Sequence, residues 1–150
     1  MVVNLATISQ DVFAALRTLI IANKPTYTYN DTIYTYTMVA SQPKQDAVFP
    51  CVVLDDSDIT DTRITMDAGT GEEMIEVRLD FYALESHGKK AISVGRDGLR
   101  NTFIGNISEF VSTDKIVPQE DFWTDSGIAN IELDKQVVNT ATSFVRFKLG

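Results

Sequence analysis

The stretch 74-MIEVRLDFYA-83 decides how the rest of the chain is read. Ile75, Val77, Leu79, Phe81 and Ala83 alternate with Glu76, Arg78, Asp80 and Tyr82, which is a strand with one dry face and one wet or pairing face. It runs through 84-LESHG-88 into a segment from Lys89 to Phe103, where Ala91, Ile92, Gly95, Leu99 and Phe103 recur at helical spacing with Gly98 beside them. Two glycines inside a helix weaken it by roughly 1 kcal/mol each relative to alanine. The pair therefore predicts a close approach of this helix to the sheet.

Working outward, residues 7–23 carry a second helical stripe, Ile8, Val12, Leu16, Leu19 and Ile20. Thr7 with Gln10 fits a capping box, Asp11 suits the helix dipole, and Asn23 with Pro25 marks the stop. Phe13 and Ile21 widen the stripe, which predicts a helix covered on two sides. The run 47-AVFPCVVL-54 reads as a buried strand, Arg63–Met66 as a short strand, and 67-DAGTG-71 as a turn. Asn106 and Glu109 suggest a short further helical turn through Val111. The segment from Phe122 to Gly150 reads as two or three strands, with Val145, Phe147 and Leu149 inward and Arg146 and Lys148 outward. The expected fold is one α+β domain over residues 1–150: a mainly antiparallel sheet, two helices packed on one face, and a projecting β-hairpin.

That hairpin is 26-TYTYNDTIYTYT-37, which holds four of the chain's five tyrosines. With Asn30 and Asp31 as the loop, Tyr27 pairs with Tyr34, and Tyr27, Tyr29, Tyr34 and Tyr36 share a face. Three uses for that face stand open: a cover over the domain's own core, a contact with another copy or partner, or stacking against a ligand or nucleic acid. A tyrosine ring suits surfaces that are wet in one state and covered in another.

The net charge is −8, from 21 acidic and 13 basic residues, which argues against electrostatic nucleic-acid binding. No run of about 18 apolar residues exists to span a membrane, and no secretory pattern opens the chain, so a cytosolic setting is expected. The single cysteine, Cys51, excludes an internal disulfide and reads as a small buried hydrophobe. His87, the only histidine, reads as a turn or cap residue, since no nucleophile motif accompanies it. Asp55, Asp56, Asp58 and Asp61 fail the EF-hand pattern and read as a solvated loop. The stretch 67-DAGTGEE-73 has no adjacent lysine and reads as a turn rather than a phosphate loop. No catalytic residue, cofactor site or metal site is expected.

The order of segments resembles that of the tail terminator, or tail-to-head joining, proteins of long-tailed double-stranded DNA viruses. The resemblance runs through the N-terminal helix "ISQDVFAALRTLI", the hairpin leading into "FPCVVL", the strand-to-helix piece "EVRLDFYALESHGKKAISVGRDGLRNTF", and the closing strand "SFVRFKL". It implies a non-enzymatic virion protein assembled in the host cytoplasm. Such a protein forms a ring, usually a hexamer, on the tail tube, stops tube growth and meets the neck or stopper protein. DNA passes through the channel without sequence-specific binding. Alternatives are another neck component, such as a stopper or head-completion protein, and a small non-viral ligand-binding or regulatory domain. A closed ring needs two complementary patches per copy. The candidates are the tyrosine hairpin and the outward sheet face with Glu76, Arg78 and Asp80, which can meet Arg146 and Lys148 across one sheet or between chains. Asp55, Asp56, Asp58, Glu72 and Glu73 are candidates for the channel lining or a docking face.

Overall fold

The computed structural model describes residues 8–40, 48–55, 59–65, 71–106, 116–133 and 135–149. Helix α1 (Ile8–Ala22) is followed by hairpin strands β1 (Thr26–Tyr29) and β2 (Thr32–Thr35). Short strands β3 (Thr37–Val39) and β4 (Cys51–Val53) come next, then β5 (Ile59–Thr65) and the long β6 (Gly71–Leu84). A single 3-10 turn (Glu85–His87) leads into α2 (Lys89–Gly105), and β7 (Ile116–Asp125), β8 (Ala129–Leu133) and β9 (Gln136–Leu149) complete the chain.

The main sheet runs β3-β4-β6-β9-β7, with β5 also on β6 and β8 also on β9. Its spine is β6 against β9, antiparallel from Met74↔Lys148 to Leu84↔Val138. All described pairings are antiparallel except β3 with β4. The apolar alternation of β6 works as read: Ile75, Val77, Leu79, Phe81 and Ala83 are buried, and their β9 partners Val145, Phe147 and Ala141 share the same core. Both helices cover this face. Helix α1 contributes Val12, Leu16, Leu19 and Ile20, and α2 contributes Ala91, Ile92, Leu99 and Phe103. The described part of the chain is thus an α+β domain with its helices on one side of the sheet.

Several expectations need correcting. Ile21 is exposed, so α1 is covered on the core side, with Phe13 half-buried at its margin. The acidic stretch after Leu54 is not all loop, because Ile59, Thr60 and Asp61 belong to β5 and pair with Val77, Glu76 and Ile75. Tyr82 lies on the helix-free face, yet it is buried in a second small core with Cys51, Val53 and Val138, edged by Phe49, Leu84, Ile131 and Leu133. Half of the face read as wet is therefore dry. The capping box at Thr7, the connector 41–46 and the helical turn beyond Asn106 fall on residues outside those described, as does the turn 67–71 apart from Gly71, which opens β6.

The glycines of α2 approach side chains rather than the sheet. A Cβ on Gly95 would lie 2.4 Å from Tyr36 Cε2, and one on Gly98 would lie 3.3 Å from Pro25 Cβ. Tyr36 is fully buried, and its hydroxyl donates to the Ala91 carbonyl at 2.8 Å. Where the chain enters α2, Gly88 has φ +83°, a conformation that a side chain opposes.

Candidate functional site

Hairpin β1–β2 forms a two-stranded sheet of its own, with Tyr27↔Tyr34 and Tyr29↔Thr32 in the expected register. Asn30 (φ 48°) and Asp31 (φ 62°) make the left-handed two-residue loop. A hairpin alone is marginal in water. This one is held by its tyrosine face, which turns onto the domain's own core. Tyr27 stacks on Tyr34 at 5.4 Å and meets Tyr36 edge-on at 5.9 Å, and Tyr36 in turn meets Phe81 at 6.0 Å. Tyr27 and Tyr36 are buried, while Tyr29 and Tyr34 are half-buried against the same cluster. Tyr27 and Tyr36 are thus core residues and not the subunit contact for which they were candidates. The outward side of the hairpin carries Ile33, which is 70% exposed, with Thr26, Thr32 and Thr35.

His87 was read as a turn residue, and its larger role was missed. Its ring stacks on Tyr29 at 4.4 Å and lies 4.5 Å from Tyr34, and Nδ1 is 2.7 Å from the Tyr27 hydroxyl. Burial, aided by Tyr34, pushes the Tyr27 phenol up to about 12, so it keeps its proton. With a neutral imidazole the phenol donates to Nδ1 and the ring proton sits on Nε2. Tyr27 and His87 are 60 residues apart, so no local pattern announces the pair. Beside it opens a cleft of about 250 Å³, lined by Tyr27 and Tyr29, by His87, and by Lys90, Ala91 and Val94 of α2.

The helix-free sheet face is the second surface. Arg146 Nε donates to Glu76 Oε2 at 2.7 Å, and Arg146 Nη1 donates to Thr124 Oγ1 at 2.6 Å. The Glu76–Arg146 pair therefore forms across one sheet, and both partners are about one-third exposed. Arg78 is exposed, and its Nε donates to Asp80 Oδ1 at 3.0 Å. Asp80 also accepts from the Thr142 hydroxyl at 2.6 Å and is only 2% exposed. It is buried in this way and drops out as an outward contact. Phe144 pairs with Arg78 in register and is half-buried. On the helix side, a cluster that the sequence did not suggest ties α2 to β7. Arg96 Nη1 donates to the Ser126 carbonyl at 2.8 Å, with Nε 3.6 Å from Asp125. Asp125 also accepts from Trp123 Nε1 at 2.7 Å and from Ser143 Oγ at 2.6 Å.

No family model and no curated protein matches this chain. The geometry stands on its own.

Of the remaining candidates, Asp55 is half-buried. Asp56 and Asp58 lie outside the described residues. Glu72, Glu73 and Lys148 have described backbones at the ends of β6 and β9, where Met74 pairs with Lys148, but their side chains are outside the described set. Burial holds the Cys51 thiol up at about 12, which keeps it protonated. Among the described residues no group of acidic, histidine and cysteine side chains is placed to hold a metal, and no helix is long and apolar enough to cross a membrane.

Proposed function

We propose that the chain is a structural subunit of a viral tail: a ring-forming terminator that caps the tail tube and joins it to the neck. The order of segments is similar to that of such proteins, and one structural observation carries the reading furthest. The helix-free sheet face sets a half-buried aromatic, Phe144, among Arg78, Arg146 and Glu76. An aromatic centre with arginines around it is the composition of protein interfaces. Strands β6 and β9, each 14 residues long, supply an extended base for such a contact. With Tyr27 and Tyr36 used inside the protomer, this face is the surface offered to a neighbouring subunit. The virion is then where the protein resides, and DNA crosses the ring without base-specific contacts.

Light scattering across a range of concentrations, with electron microscopy of the same samples, tests this. Closed annuli of about six copies are expected from the resemblance; contacts between unlike patches on identical subunits give a ring where the rotation closes and a filament where it does not. Phe144→Asp should reduce the assembled fraction while leaving the circular dichroism unchanged. A wild-type chain that stays monomeric at every concentration, and also fails to bind tail-tube protein, would overturn the reading.

A further inference from the structure

Strand β1 and helix α2 do not close fully on each other. The cleft of about 250 Å³ between them is lined by β1 on one side, and by His87 and the first turns of α2 on the other. Its lining is of two kinds. Ala91, the Tyr29 ring and Val94, which α2 leaves 36% exposed, supply apolar surface. Lys90, His87 and Thr28 bring polar groups to the same space. In a chain of net charge −8, the cleft thus has a lysine and no acid among its described lining residues.

The polar groups are donors without partners. Lys90 is exposed and forms no ion pair among the described residues. The His87 ring is fixed in place, stacked on Tyr29 at 4.4 Å with Nδ1 at 2.7 Å from the Tyr27 hydroxyl. Tyr27 thereby decides what the imidazole can offer. In the neutral ring the phenol donates to Nδ1 and the proton sits on Nε2, and in the imidazolium both nitrogens carry protons. Nε2 is a donor in either state, and no described residue accepts from it. A donor held in place before its acceptor arrives costs little to order on binding.

Charge and size set what fits. One lining ammonium matches one negative charge, and two donors suit the two oxygens of a carboxylate. A doubly charged phosphate would leave a charge unmatched. A cavity of about 150 Å³ takes a benzene molecule, so about 250 Å³ has room for a ring and its acid group. We infer that this cleft binds a small monocarboxylate with an apolar body. Lys90 and His87 Nε2–H receive the carboxylate, and the body lies against Val94, Ala91 and the Tyr29 ring. The site goes beyond the proposed function and does not rest on it, since it lies within one protomer.

His87 is the chain's only histidine, so its ring protons are a single NMR reporter beside the cleft. Titration with benzoate at about pH 8, above the ordinary imidazole range, should move them saturably. The expected Kd is about 1–10 mM, ordinary for so small a ligand. Benzamide has the shape without the charge, and inorganic phosphate has charge without the apolar body; each should bind at least about fivefold more weakly. Lys90→Met should weaken benzoate about fivefold, as for a partly solvated pair. Lys89→Met, the same charge change outside the lining, should stay within about twofold of wild type. Val94→Asp should abolish binding with the circular dichroism unchanged. The absence of a saturable shift in wild type overturns the inference. So does equal binding of benzamide or phosphate, a Lys90→Met chain that binds as well as Lys89→Met, or binding retained in Val94→Asp. None of these results bears on whether copies assemble, so the proposed function stands or falls separately.

Discussion

Replacing Gly95 by alanine tests how α2 meets the hairpin. In an ordinary helix interior this change stabilises by about 1 kcal/mol. Here the added methyl would sit 2.4 Å from Tyr36 Cε2, 2.6 Å from Cζ and 2.9 Å from the hydroxyl oxygen. Those atoms are the end of a side chain, but they have nowhere to go. The ring is fully buried, Tyr27 and Phe81 press on it edge-on, its hydroxyl is bound to Ala91, and its backbone N–H is bound to the Pro25 carbonyl at 2.9 Å. Overpacking of this kind costs about 1–3 kcal/mol. Losing the buried hydroxyl bond adds about 0.5–1.5 kcal/mol. Set against the propensity gain, the net loss is about 2 kcal/mol, or about 4–8 °C in Tm for a domain of this length.

Urea unfolding followed by circular dichroism measures it, with two controls. Gly105, the last residue of α2, has open space around its Cβ position, so Gly105→Ala should leave stability level or raise it by up to about 1 kcal/mol. In a Tyr36→Leu background the clashing atoms are gone, so Gly95→Ala should there lose its penalty. The coupling between the two sites should be about 3 kcal/mol, because the propensity gain is common to both backgrounds and cancels. If Gly95→Ala stabilises as Gly105→Ala does, or if the coupling is below about 0.5 kcal/mol, the argument fails.

Three further outcomes follow from the same contacts. Burial raises the Tyr27 phenol from 10.0 to about 12 and pushes Tyr36 up as well, so the folded state holds these protons longer than the unfolded one. Their contribution is complete below pH 10.0 and is lost as pH climbs toward about 12; urea midpoints should fall across that window, less steeply in Tyr27→Phe. Cys51, with its thiol raised from 9.0 to about 12, should resist iodoacetamide at neutral pH in the folded chain and react at the rate of unfolding. Arg96→Met should cost about 1.5–3 kcal/mol by urea unfolding, since the arginine is largely buried and carries a charged hydrogen bond. Arg146→Met should cost under about 1 kcal/mol by the same measure, its pair being about one-third exposed.

What the sequence made legible follows from the range of the forces involved. The period-two pattern of β6 and the buried stripe Ala91, Ile92, Gly95, Leu99 and Phe103 of α2 are local, and both appear where the pattern put them. The tyrosine register was legible for the same reason, since Asn30 and Asp31 fix it within four residues on either side. Three features were not. The direction of the tyrosine face depends on His87 and Ala91, which are 60 and 55 residues away from Tyr27 and Tyr36. The burial of Asp80 depends on Thr142, 62 residues on. The dryness of Tyr82 depends on β4 and β8 bringing Val53 and Ile131 to the helix-free face. Alternation alone cannot tell a solvated face from one that a strand edge curls over.

The tyrosine hairpin bears on assembly because it separates what holds the protomer from what is left to meet a neighbour. An aromatic face on a marginal two-stranded sheet must be covered by something. Here the cover is internal, a continuous run of ring contacts from Tyr34 through Tyr27 and Tyr36 to Phe81, with His87 against its outer end. A surface covered in this way offers little for association. In the proposed assembly, association draws instead on a surface that the fold leaves open, the helix-free face with half-buried Phe144 beside exposed Arg78. Its two components differ in kind. Apolar burial at Phe144 depends little on salt, while contacts of the charged side chains around it are screened. The salt dependence of assembly thus reports which component dominates. Phe144→Ser, which removes the ring without adding a charge, should weaken assembly by a similar factor at all ionic strengths, whereas Arg78→Gln should weaken it most where salt is lowest.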